Sequence, residues 1–197
     1  MSFFTESKAG MAFLILGIIS IIGGILSLIF GILEMEIADT LFTHGAAVCA
    51  IGTIIYGFLY AAYGKKVRAG LVSAKIDILA GFVRLVGIAT IVTGLFNAFG
   101  AVVDGADFGT QLGSAIISII LGLIIIWIAG KINDGKQTIG DKIIWIILLI
   151  IFIICFLVAI VEIISIIGII VGICHLFIYV FMLVLLFDSD VKSEMGI

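Results

Sequence analysis

Apolar residues run along this chain in blocks, each long enough to cross a bilayer as a helix, about 20 residues. Roughly Met11 to Leu33, Gly45 to Gly64, Gly81 to Val103 and Gly113 to Gly130 are four such blocks. Short polar breaks separate them: EMEIADTLFTH, KKVRAGLVSAK, DGADFGTQL and KINDGKQTIGDK. Ile143 to Phe187 is too long for one span, and Glu162 and His175 are its only titratable side chains besides cysteine and tyrosine. It divides into two spans with a turn near Glu162 to Gly168. The pattern predicts an all-α integral membrane protein with six transmembrane helices, and residues 1–197 form a single transmembrane domain.

Within the blocks a second pattern appears. Gly17, Ser20, Gly24, Ser27 and Gly31 alternate three and four apart, so they share one face of a helix. Gly87, Thr90, Gly94, Asn97 and Ala101 repeat that stripe in the third block. The second and fourth blocks both close on Gly-Lys, at Gly64-Lys65 and Gly130-Lys131. Together these features predict two parallel helical-hairpin repeats, about 11–64 and 81–130. The last pair, about 143–187, is a candidate third copy, with Gly168 and Gly172 loosely echoing Gly52 and Gly57. Lipid gives helices no hydrophobic reason to associate, whereas small side chains allow close approach. The ten stripe residues are therefore expected to pack helices, with the first and third spans meeting face to face. The other use of such a stripe is to line a narrow polar path.

Composition removes the soluble alternatives. The chain is 64% hydrophobic and 12% charged, with a mean hydropathy of +1.48. A soluble domain carries about a quarter charged residues. Charge placement then predicts orientation. With the N-terminus in the cytoplasm, Lys8, Lys65, Lys66, Arg68, Lys75, Lys131, Lys136, Lys142 and Lys192 all lie inside. Glu34, Glu36, Asp39, Asp104 and Asp107 then lie outside, and both termini are cytoplasmic. Trp127 and Trp145 sit near inner ends, as an aromatic belt requires. The first block lacks a small-residue cleavage site and reads as a retained span. The isoleucine-rich sequence without a single proline points to straight helices and to a prokaryotic cell membrane.

Candidate chemistry is sparse. Arg84 stands alone as a basic residue in an apolar run, one turn into its span by alignment with Leu14. It reads as a snorkelling anchor or as a site for an anionic substrate or lipid. His175 falls near the midplane and is expected to bond a hydroxyl or carbonyl of a neighbouring helix, with a proton relay as the alternative. Glu162 reads as a turn residue, or as an intramembrane carboxylate if its helix runs longer. Asp77 is expected at or outside the interface, and Asn97 in an interhelical hydrogen bond. Tyr56, Tyr60 and Tyr63 read as interfacial side chains.

Cys49, Cys155 and Cys174 lie in apolar runs and form no disulfide framework. Cys174 and His175 are adjacent, hence about 100° apart on a helix, which opposes joint metal ligation. No metal and no cofactor is expected. HExxH, GxSxG, P-loop and paired-cysteine motifs are missing from the sequence, so catalysis has no support. A folded basic surface for nucleic acid is not predicted either. The expected partners are the lipid bilayer and either a second copy or a membrane partner subunit. The expected function is helix–helix interaction without catalysis, in an accessory, immunity, stress or scaffold role. The alternative is a small transporter or channel, or a substrate-capturing membrane subunit of an importer.

Overall fold

A computed structural model describes residues 5–37, 40–164 and 169–197. The described residues fold into helices α1 (Glu6–Ile32), α2 (His44–Arg68), α3 (Lys75–Val103), α4 (Phe108–Ile132), α5 (Ile139–Ile164), α6 (Ile169–Leu186) and α7 (Ser189–Glu194). The first six are long and apolar enough to cross a membrane, which points to a multi-pass membrane protein. Apolar segments without proline can satisfy every backbone group internally only as helices.

The helices outrun the apolar blocks. α2 carries Lys65, Lys66 and Arg68 in its last turn, and α3 begins at Lys75 rather than at Gly81. Charged residues continue a helix as readily as apolar ones, so hydropathy under-reads the ends. Asp77 accordingly lies in the first turn of α3. Glu162 lies in the last turn of α5. Residues 165–168, which include most of the expected turn and Gly168, lie outside the described residues, as does Asp39. The polar tail is not featureless: Asp188 caps α7 by accepting from Asp190 N. In the first acidic break, β1 (Glu36–Ile37) pairs antiparallel with β2 (Thr40–Leu41).

Glycine sets two of the turns. Gly70 and Gly105 have φ of +70° and +91°. Next to them, Leu71 N donates to Lys66 O at 3.0 Å and Ala106 N donates to Ala101 O at 2.9 Å. This is the closure that ends a helix with a left-handed residue. The acidic residues of the break between α3 and α4 have structural work as well. Asp104 accepts from Thr43 Oγ1 at 2.6 Å and from Gly45 N at 2.8 Å, at the start of α2. Asp107 accepts from Thr110 N and Oγ1 at the start of α4. Those two bonds hold the Asp107 carboxyl below the usual carboxylate range.

The chain divides into two compact units. One holds Met1–Leu16, Tyr60–Arg84 and Trp127–Ile197; the other holds Gly17–Leu59 and Leu85–Ile126. The first unit has an aromatic core. Phe13 and Phe82 are buried, with ring centroids 5.4 Å apart. Tyr60 and Tyr63 pack on Phe13, and Phe152 and Tyr179 pack on Phe82. Tyr63 Oη donates to Ile78 O at 2.6 Å. Tyr60 is buried and Tyr63 half-buried, so both rings pack within the protein. Their apolar rings bury readily because the Tyr63 hydroxyl finds a carbonyl. The second unit has few large buried side chains, and its buried positions are mostly glycine and alanine.

Candidate functional site

The stripe residues of the second unit can be placed by what a side chain would meet there. A Cβ on Gly24 would lie 2.6 Å from Ile54 Cγ1 and 3.1 Å from Ala50 O. One on Gly31 would lie 2.7 Å from Thr43 O, and one on Gly57 would lie 2.7 Å from Gly17 O. Each step of seven along α1 is answered by a step of seven along α2. In the first unit the same spacing pairs Gly64 with Gly10, whose carbonyl oxygen would lie 2.6 Å from the added carbon. In α3, a Cβ on Gly87 would lie 2.8 Å from Gly122 O, and one on Gly94 would collide with Ser118.

The stripes therefore face the next helix in sequence. This corrects the expected meeting of the first and third spans. The physical reason is complementarity: α2 offers Gly57 and Ala50 to the α1 stripe, and α4 offers Gly122 to the α3 stripe. Gly10, Gly57, Gly64 and Gly122 were the missing half of the pattern. The seven-residue spacing of Gly10, Gly17, Gly24 and Gly31 was the signal that could have found it.

The other stripe members differ. Ser20, Ser27, Thr90 and Ala101 are half-buried, and Thr90 Oγ1 donates to Val86 O of its own helix at 2.9 Å. Asn97 is exposed and has no hydrogen-bond partner among the described residues. It stands off the face that Gly87 and Gly94 share, contrary to an interhelical bond inside the chain.

The polar candidates of the first unit form two separate groups. His175 Nδ1 and Glu162 Oε2 are 2.6 Å apart, joining α6 to α5. The partner of His175 is thus a carboxylate rather than the expected hydroxyl or carbonyl. α5 extends past Glu162, which brings its carboxylate back along α6. Tyr179 lies one turn further on, its ring centroid 5.8 Å from the imidazole. Near the same hairpin's opposite end, Trp145 Nε1 donates to Leu186 O at 2.8 Å. Gly172 admits the close crossing, since a Cβ there would lie 2.8 Å from Ile163 N.

The second group lines a cavity of about 360 Å³ at the Lys75 end of α3. Ser73, Asp77, Arg84 and Asn133 form its polar wall, and Leu71, Val72, Ala80, Gly81 and Ala129 its apolar wall. Asn133 Nδ2 donates to Asp77 Oδ1 at 2.9 Å. Arg84 lies nine residues into α3, about 13 Å along the helix. That distance exceeds one turn because it counts from Lys75, where the helix starts, and not from Gly81, where the apolar block begins. Glu162 and His175 do not line this cavity. Among the described residues no group of three or more His, Cys, Asp or Glu side chains converges as a metal site.

No family model matches the chain, and comparison with curated proteins and solved structures returns no significant similarity.

Proposed function

We propose that this chain is an integral membrane protein that works through helix–helix contact, as an accessory, immunity, stress or scaffold protein without catalytic chemistry. Its six spans carry both termini in the cytoplasm, following the lysine and arginine placement, in a prokaryotic cell membrane. α1–α2 and α3–α4 are parallel hairpin repeats closed by their small-residue stripes, and α5–α6 is a third hairpin closed differently.

Asn97 carries this reading. An amide exposed on an apolar span, with no partner among the described residues, is expensive in lipid and gains most from a hydrogen bond to another helix. A second copy of the chain, or a membrane partner subunit, supplies that helix. The experiment is cysteine cross-linking at position 97 in native membranes, in a background without Cys49, Cys155 and Cys174. The expected product is an intermolecular link, whereas cysteine at position 24 should give none. A monomer at position 97 in membranes with and without co-expressed partners would overturn the reading.

Transport is the second reading, and the Glu162–His175 pair favours it. A carboxylate and an imidazole held together in an apolar hairpin can hold and release a proton. Proton uptake by vesicles containing the full chain, abolished by Glu162→Gln, would move this reading to the front.

A further inference from the structure

The cavity beside Arg84 has an order of charge that selects a ligand. Asp77 and Arg84 lie on one helix, seven residues and about 10 Å apart along its axis. Asp77 is nearer the helix start, so in a membrane-spanning α3 the carboxylate is shallow and the guanidinium deep. The other basic residues of α3 and α4 are already engaged. Lys75 is paired with Asp188 at 2.7 Å and Asp190 at 3.1 Å, and Lys131 with Asp134 at 2.9 Å. Arg84 has no ion-pair or hydrogen-bond partner among the described residues, and it opens on the cavity.

A guanidinium suits a phosphate, which it can grip through two parallel N–H bonds. A bare phosphate would meet the Asp77 carboxylate on the same wall. A headgroup with phosphate inward and ammonium outward meets both charges with the right sign. We propose that this cavity binds a zwitterionic phospholipid whose headgroup ends in a primary ammonium. Arg84 takes the phosphate, and Asp77 accepts hydrogen bonds from the ammonium through the oxygen that Asn133 leaves open. Ala80, Gly81 and Ala129 leave room on the apolar wall for the glycerol region. A quaternary ammonium headgroup fits less well, because it has no N–H to donate.

The test is native mass spectrometry of the detergent-solubilised full chain, loaded with equal amounts of ethanolamine, choline and glycerol phospholipids of identical tails. The expected result is selective retention of the ethanolamine lipid. Arg84→Gln should lower that retention about tenfold, the scale of a lost charge-assisted hydrogen bond. Arg84→Lys keeps the charge without the two-pronged grip and should retain more lipid than Arg84→Gln but less than the wild type, which separates a binding loss from misfolding. Asp77→Asn preserves size and an acceptor oxygen for Asn133, and it should bring the ethanolamine and glycerol lipids to parity. Equal retention of all three lipids by the wild type would overturn the proposal, as would retention unchanged in Arg84→Gln. Displacement of the lipid by millimolar inorganic phosphate would also overturn it, since a free anion would then be the occupant.

Discussion

The hairpins α1–α2 and α5–α6 solve one problem in two ways. Both must hold two apolar helices together where lipid is as apolar as their side chains. In α1–α2 the facing positions are glycine and alanine, and the contacts are backbone to backbone: Gly57 against Gly17 O, Gly24 against Ala50 O. In α5–α6 most buried residues are large, Ile144, Leu148, Phe152, Ile178 and Phe181 among them, and among the described residues Gly172 alone admits a close backbone approach, to Ile163 N. That hairpin is pinned by polar bonds near its ends, Trp145 to Leu186 O and Glu162 to His175. The first arrangement gains from many close contacts and tolerates no added volume. The second has one such close approach among the described residues, at Gly172, and adds two specific polar bonds.

The largest effect should come from volume in the glycine-faced hairpin. Gly57→Leu places a side chain where Gly17 O and Ile21 N, both backbone atoms, would lie 2.7 and 2.8 Å from its Cβ. Overpacking of this kind costs about 1–3 kcal/mol or more. Gly24→Leu should behave likewise. Gly23→Leu is the control, since nothing lies within 4 Å of a Cβ at that neighbouring position. It should be neutral or slightly stabilising, because leucine forms helix better than glycine by somewhat under 1 kcal/mol. Leu26→Ala, at an exposed position, should also be mild. Unfolding in mixed micelles by denaturant measures all four. Equal tolerance at positions 23 and 24 would remove the distinction between the two hairpins.

A smaller effect is expected from the polar pin. His175→Ala leaves the Glu162 carboxylate unpaired in apolar surroundings, an imbalance that can cost about 3 kcal/mol where burial is complete. Glu162 keeps partial exposure, so the loss should fall below that figure. The double variant Glu162→Leu/His175→Leu removes both polar groups and should recover most of the stability. A double-mutant cycle reads the coupling directly. Additive losses would mean that the pair does not hold the hairpin, and that α5–α6 rests on its large apolar faces alone.

Much of this division was visible in the residues, and the part that was not has a physical explanation. Four apolar blocks and one double-length run gave six helices long enough to span a membrane, because an apolar run without proline has no other backbone solution in lipid. The small-residue stripes were legible as faces, but not the faces they meet. A stripe reports that something approaches closely, and only its partner's spacing reports what. The repeated stripe therefore paired the first span with the third, when the positions answering Gly17 and Gly24 were Gly57 and Ala50. Glu162 and His175 were visible as isolated polar residues, yet their bond depends on where α5 ends, and helix ends are poorly marked by hydropathy. The Arg84 cavity was hidden for the same reason. Its wall residue Asp77 lies between the basic break and the apolar block, and Phe13 and Phe82 resembled any other apolar side chain.

Acid should produce the smallest change, and it tests the comparison from another side. The facing positions of α1–α2 hold no ionisable carboxylate, so their contact should be flat with pH. The end of α6 leads into α7, and Lys75 Nζ donates to Asp188 Oδ2 at 2.7 Å there. The Lys75 ammonium holds the Asp188 carboxyl below its ordinary range, with further help from Asp190 N. A depressed carboxyl stabilises the folded form above its ordinary pKa, and that stabilisation disappears as pH falls through the lower folded value. Hydrogen exchange of the α7 amides should accordingly stay slow at neutral pH and accelerate only in strong acid. Asp188→Asn should exchange faster at neutral pH and lose the acid response. The α1–α2 amides serve as the internal reference. If they accelerate in parallel with α7, acid is loosening the whole chain and the two hairpins share one stability. If α7 accelerates alone, the charged end opens by itself while the neutral contact stays shut, as a contact without charged side chains requires.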